Sequence, residues 1–420
     1  MQFHIPVALL LTVAPLAFSA PVGKVREEPS ADWPQWLGPN RDGTVAVKVA
    51  AWTGDLKVVW RAAVGEGNSS PVVAGGLVFL HSKVKDKDIE RVQAFDAKSG
   101  EVKWTQDYEK TPFKPLFGEG PRATPCVHDG KIYTFGNTGV LACWEATTGK
   151  PVWKVETLAD PRAGKDNLYF GVSASPLVVG DNVVVQGGGT GSKGLKAYDL
   201  KTGKPAWTAG DDPASYASPI LIGKDIVVLT GAHLMAVSPA GEVRWKFPFK
   251  DPINESSTTP IKVGDLYVAA SVMAGAIAVR VADQDGKPIP DQAWKNPTLT
   301  CYFSTPVPVG KDHMYLVTGV PSLTNPSVTL RCVETASGKE VWKKADVGKY
   351  HAALLRAAGG NLLMHDDQGK LRLLAPNVKE YQELATSKAC GPTWAHPAVA
   401  GGHIFVRDDK ELICLSLTGE

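Results

Sequence analysis

The sequence predicts an all-β fold, an eight-bladed β-propeller of four-stranded antiparallel blades. Three observations point there. A Ser/Thr-Pro phrase recurs along the chain, a Gly-x-x-x-Trp phrase recurs out of phase with it, and 42 glycines and 31 prolines are spread through 420 residues rather than gathered in linkers. Evenly spaced turn residues between short apolar runs are what many short strands require.

The first phrase is a proline, two to five residues, a Gly or Asp turn, and an apolar strand. It opens at prolines 71, 125, 176, 219, 260, 306 and 397, and Leu355 stands in the proline's place in one further copy. Neighbouring copies are 41 to 54 residues apart. That is the size of a propeller blade, and propellers commonly carry about 4–8 of them. In the first unit SPVVAG (70–75), LVFLHS (77–82), RVQAFDA (91–97) and EVKWTQDY (101–108) read as strands A to D.

The second phrase, D-x-x-T/S-G-x-x-x-W, links strands C and D. Its Gly–Trp pairs are 100/104, 149/153, 203/207, 241/245 and 338/342, with a stretched copy from Gly286 to Trp294. Glycine supplies the positive φ of a tight turn, and the Asp or Ser before it bonds its own backbone. The tryptophan then falls on the outer strand, where it can wedge between blades and bury about 150–250 Å². The seventh unit, about 350–390, offers only Tyr381 as a substitute.

These residues resemble the tryptophan-docking motif of the pyrroloquinoline-quinone (PQQ) repeat family, and the resemblance covers residues from about 50 to 420. It implies a ring closed by an N-terminal strand that completes the last blade. The chain ends one residue after Gly419, before any tryptophan, while LKVVW (56–60) carries a tryptophan with no blade before it. Trp60 is therefore expected to complete blade eight. The chain divides into residues 1–19 as a signal peptide, 20–50 as an N-terminal arm, and 51–420 as one propeller domain. The arm segment DWPQWLGPNRDG (32–43) lies outside the repeats, with Trp33 and Trp36 expected to pin it to the propeller.

Residues 5–18 are apolar but too short and proline-interrupted to span a bilayer. They read as a secretory signal with cleavage after Ser19, which makes the mature protein begin near Ala20. No cysteine follows the apolar stretch, so the expected product is exported, periplasmic or extracellular, monomeric and not lipid-anchored. Net charge is only +2, which provides no field to gather nucleic acid. The mixed Lys/Asp run at 83–88 reads as a solvated hairpin tip. The six cysteines at 126, 143, 301, 332, 390 and 414 allow two short pairs, 126–143 and 301–332, or six buried thiols.

In a propeller, the loops entering each strand A and the B–C hairpins crowd one mouth of the central channel. Here they present Arg122, Tyr169, Tyr216, Glu255, Tyr302, His351, Trp394 and His396. Aromatic rings mixed with a few charges suit a small-molecule or peptide-binding mouth. The family resemblance also implies an alternative, a dehydrogenase oxidising alcohols or sugars with PQQ and Ca²⁺ at that mouth. Such chemistry needs a carboxylate base, oxygen ligands and an aromatic floor. Glu119, Asp211, Asp212 and Glu255, with Asn68 and Asn254, are the available oxygens, and Trp394 the available floor. The adjacent cysteines of many such enzymes are missing. His365-Asp366-Asp367 sits on a hairpin and reads as exposed polarity rather than a ligand set. The reading is a binding or scaffolding module of the cell envelope without a cofactor, its partner an envelope protein, a peptide segment or a small molecule.

Overall fold

Each repeated unit folds into one antiparallel sheet, beginning with Val72–Ala74, Leu77–Lys83, Ile89–Asp96 and Val102–Glu109 as strands A to D of blade 1. The structure, a computed structural model, describes residues 1–2, 32–158, 169–187, 194–319, 322 and 324–418. The expected signal and its cleavage site lie outside the described residues. Among the described residues there are eight sheets and no helix, so none long and apolar enough to cross a membrane.

Burial explains the strand order within a blade. Strand A is three residues long in most blades, because eight strands converge at the axis. Strand B is almost wholly buried, as in Leu77–Lys83. Strand D alternates, and Val102–Glu109 buries only Trp104 and Tyr108 while the remaining residues face outward. The core lies between blades, as when Phe79 and Ala94 of blade 1 pack with Ile132 and Ala142 of blade 2.

The C–D turn follows its sequence. Asp96 Oδ1 accepts from the backbone N–H groups of Lys98 and Ser99, each at 3.0 Å, and Gly100 closes the turn at φ +73°. A register shift recurs between strands C and D of all eight blades. Such bulges increase local twist. From that strand, Trp104 reaches the next blade and donates its indole N–H to Ala146 O at 2.9 Å. Its ring lies on Gly149, where an added Cβ would come within 2.6 Å. The same contact joins Trp153 to Leu200 O, Trp207 to Pro239 O and Trp294 to Thr335 O. Trp245 departs from it. The next C–D hairpin is drawn out into two ten-residue strands, and Trp245 packs edge-on against Tyr267 instead.

Blade 8 closes as the sequence implies. Val58–Ala63 pairs antiparallel with Glu411–Ser416, placing Trp60 opposite Cys414. Trp60 then bonds Ala97 O of blade 1 at 3.0 Å and lies on Gly100.

Several local expectations need correction. Tyr381 does not replace a tryptophan toward blade 8, because its ring turns back edge-on to Trp342 of blade 6. His365, Asp366 and Asp367 are buried rather than exposed. Asp366 pairs with Arg372 at 2.7 Å, and Asp367 accepts from the N–H groups of Lys349 and Tyr350. Lys83 is buried against Glu119 at 3.3 Å, so the solvated tip begins beyond it. All six cysteines are buried and free, and neither short-range pair forms.

Trp60 is 7% exposed and joins the last blade to the first. Trp60→Ala should therefore cost about 3–5 kcal/mol, a large share of a total near 5–15 kcal/mol, read from the shift of the urea unfolding midpoint.

Candidate functional site

The arm before the propeller lies inside the ring. Trp33 exchanges backbone hydrogen bonds of 2.8 Å with Val73 in strand A of blade 1, and Val127 N donates to Pro34 O at 2.7 Å in blade 2. Trp36 donates its indole N–H to Thr259 Oγ1 of blade 5 at 2.8 Å. Arg41, 1% exposed, donates to Pro176 O and Ser175 O of blade 3. Thr44–Lys48 adds a fifth strand, parallel to Ala352–Ala358 of blade 7. A segment this short reaches the innermost strands of five blades only by running through the channel.

Its direction follows from the pairing. Trp33 runs antiparallel to strand A of blade 1, and Thr44–Lys48 runs parallel to strand A of blade 7. Strand A leads away from the mouth. The arm thus enters from the opposite face, turns over residues 35–42 beneath the mouth, and leaves the way it came. Leu37 and Arg41 both adopt φ +57° in that turn, and Gly38 lies against Trp33, where a Cβ would come within 2.7 Å.

Above the turn is a cavity of about 100 Å³, with Trp36 at its base. Six of the eight residues expected at the mouth line it: Arg122, Tyr216, Glu255, Tyr302, Trp394 and His396. Tyr169 stays outside, 59% exposed and edge-on to Phe170. His351 lies behind the wall, 1% exposed, facing Phe303 and 4.8 Å from the His396 ring. Phe117, Phe170 and Phe303 also line the cavity and were not expected there, although Phe170 and Phe303 each adjoin an expected tyrosine. Trp36, expected chiefly to pin the arm, joins them because the arm's path brings it beneath the mouth.

The rings form a near-continuous belt. Centroids are 5.7 Å apart for Tyr216 and Phe170, 6.1 Å for Phe170 and Phe117, and 5.4 Å for Phe117 and Trp394. Trp394 to Phe303 is 5.2 Å, and Phe303 stacks on Tyr302 at 3.9 Å. Glu255 follows Tyr302, whose hydroxyl donates to its carboxylate at 3.0 Å. Burial raises the Glu255 carboxyl above its usual range, the Tyr302 hydroxyl opposes this, and Asp251 adds to it. Arg122 is spent on the backbone: Nη1 donates to Phe170 O, and Nη2 to the carbonyls of Leu116, Phe117 and Gly118.

The other expected oxygens are dispersed. Glu119 pairs with Lys83, exposed Asp211 with Lys246, and Asp212 with Lys246 and His233. Asn254 takes a loop turn at φ +57°, and Asn68 lines the cavity. Among the described residues no group of three or more His, Cys, Asp or Glu is placed to hold a metal ion.

A histidine cluster runs from His396 in the wall to His351 and His365 behind it. His396 meets Trp36 at 4.4 Å, and His365 lies 3.5 Å from Cys390 Sγ. Burial lowers His396 to about 3 and His365 to about 4, and holds His351 well below the ordinary imidazole value. All three are neutral at pH 7.

An eight-bladed ring of this repeat with an arm-floored mouth defines a PQQ-like-repeat propeller. The chain belongs to the family described as outer membrane protein assembly factor BamB, which it matches over residues 39–114 and 88–300. One relative is the outer membrane protein assembly factor BamB of Yersinia pestis, 29% identical over 36% of this chain and 36% of the relative. Another is the quinohemoprotein alcohol dehydrogenase ADH-IIG of Pseudomonas putida, 30% identical over 34% of this chain and 20% of that enzyme. The chain thus matches about a third or less of the length of these relatives. The structure of a quinohemoprotein alcohol dehydrogenase from Comamonas testosteroni superposes with a TM-score of 0.66 at 15% identity, over 93% of this chain and 81% of that one. BamB from Moraxella catarrhalis gives 0.59 at 15% identity, over 86% and 99%. At such identities the likeness is one of fold.

The histidine cluster sets a pH dependence. With folded-state values below the unfolded one, the unfolded chain takes up the extra protons on acidification. Stability is then intact above about pH 6.5 and lost as pH falls below it, through about 4 and 3. Each site contributes at most about 1.4 kcal/mol per pH unit. Urea unfolding at pH 7.5 and 5 should show the loss, and His396→Gln should flatten it.

Proposed function

We propose that this chain is an exported propeller of the cell envelope that works by binding, with the aromatic cup as its recognition site for a small molecule or one side chain of a peptide segment. The observation that carries this reading is the belt of rings over Trp36, where the arm turns a channel into a closed-bottomed cup. Rings of limited flexibility supply large contact area at low entropy cost, the property that makes them anchors at interfaces. Kinship with a protein named as an outer membrane assembly factor supports a protein or peptide partner. The apolar run at residues 5–18 supports export.

Kinship with quinohemoprotein alcohol dehydrogenases raises the alternative of PQQ with Ca²⁺. The described residues of the cup do not fit that pair. Calcium takes about 6–8 oxygen ligands, and the lining provides one carboxylate, Glu255, and the amide of Asn68. An acidic quinone needs cations, and the terminal nitrogens of the lining arginine already serve four carbonyls.

Tryptophan emission and melting temperature, measured against ammonium, sugar and planar aromatic compounds, should respond to at least one class. The response should vanish in a Tyr302→Ala, Trp394→Ala double variant that still melts cooperatively. Turnover in a dye-linked alcohol oxidation assay after loading with PQQ and Ca²⁺ would replace this reading with the oxidoreductase one. N-terminal sequencing of exported material should begin at or near Ala20.

A further inference from the structure

We propose that the cup selects a cationic amine, with a quaternary or methylated ammonium head as the group it fits best. This deepens the binding reading above and rests on it.

Glu255 brings an unbalanced charge to the cup. It is half-buried, and among the described residues its carboxylate is bonded by Tyr302 alone, with the like charge of Asp251 acting on it. Among the described residues no lysine, arginine or histidine pairs with it, although other carboxylates on this face are matched, as Glu119 is by Lys83 and Asp212 by Lys246. A carboxylate taken from water without a partner is costly, and a bound cation would offset that cost.

The surface that faces it is a belt of rings. Tyr216, Phe170, Phe117, Trp394, Phe303 and Tyr302 run ring to ring from one flank of Glu255 to the other. The indole N–H of Trp36 is taken by Thr259, leaving its ring to the cavity. Aromatic faces carry negative potential, and several around one point bind quaternary ammonium groups by cation–π attraction. Trimethylammonium is weakly hydrated and needs no hydrogen bonds, which suits a wall made mostly of aromatic rings. A cavity of about 100 Å³ is of the order of the ~150 Å³ space that takes up benzene, ample for such a head.

Other ligand classes fit the cup less well. Sugars need several directed hydrogen bonds, and each lining serine hydroxyl already has one internal partner. Ser175 accepts from Thr124 N, Ser218 accepts from Ser175 N, and Ser173 and Ser257 donate to Gly171 O and Glu255 O. Planar acids would meet Glu255 with a like charge. Arg122 opposes a cation, but its terminal nitrogens face four carbonyl oxygens, whose dipoles offset its charge.

The test is calorimetry on the full chain at low ionic strength with choline, tetramethylammonium, and 3,3-dimethyl-1-butanol as the uncharged carbon analogue of choline. PQQ serves as a planar acid. Choline should bind saturably, at least about tenfold more tightly than its carbon analogue. Glu255→Gln should weaken choline about tenfold and leave the analogue unchanged, while Trp394→Ala should weaken both. Equal affinity for choline and its analogue, or an undiminished choline affinity in Glu255→Gln, overturns the cation and leaves the cup a binding site. The same holds if PQQ binds in a Trp394-dependent way and choline does not. No heat and no change in tryptophan emission with any probe overturns both the cation and the cup.

Discussion

The structure depends on a short stretch of chain holding two places at once, the centre of the ring and its rim. Residues 33–48 fill the channel, and Val58–Ala63 forms the outer strand of blade 8. The nine residues between must cross the face opposite the mouth. They are tied there by Asn361 Nδ2 to Val49 O, Trp52 to Thr386 O, and Leu56 N to Ser387 Oγ. Closure of the ring and closure of the channel are therefore one event. A strand that pairs with blade 8 drags the arm to the channel's open end, and an arm seated in the channel fixes where that strand begins. Arg41 anchors the inner end. The buried guanidinium donates from Nη1 and Nη2 to two carbonyls of blade 3 and to Gln35 Oε1, while its Nε has no partner among the described residues.

Around this axis the blades are joined by a contact that two sequence positions specify. The glycine of each C–D turn needs positive φ and also has no Cβ to obstruct the neighbouring indole, so one residue type meets a backbone and a packing demand. The contact fails where either partner changes. Blade 5 lengthens its hairpin and Trp245 settles on Tyr267, while blade 7 has Asn377 O for Trp342 and no tryptophan of its own. Blade 7 is also the blade to which the arm adds a fifth strand. Pairing with Thr44–Lys48 supplies inner-edge hydrogen bonds to the blade that lacks the outer contact.

Fold and closure were legible in the sequence because both rest on local, repeated features: a proline before a strand, a glycine four residues before a tryptophan, and one half-blade at each end. The mouth was legible in part for the same reason. Loops entering strand A follow from the repeat, so Tyr216, Glu255, Tyr302 and Trp394 were placed together without coordinates. What failed were statements about single residues. His351 stands four residues before Leu355 and Tyr169 seven before Pro176, and the one turns into the blade while the other faces solvent. His365, Asp366 and Asp367 looked polar and exposed, yet Arg372 and the backbone of the next loop satisfy them in the interior. The arm was least legible, since its bonds to the blades reach partners from 40 to 313 residues away in sequence.

Rigidity follows from the same arrangement and bears on how the cup discriminates. Its base is set by the turn at residues 35–42, locked by Arg41 and by Trp36 on Thr259, and its wall by loops springing from short, buried strands. Where the base and the buried rings are already fixed, contact converts to affinity with less entropic loss than on a flexible surface. Charge does the selecting. His396 in the wall and His351 and His365 behind it are held neutral by burial, and Arg122 is turned toward carbonyls. Among the described residues of the lining, Glu255 is the carboxylate without a cationic partner. In an apolar, weakly screened site that one carboxylate outweighs the long-range field of a molecule whose net charge is only +2.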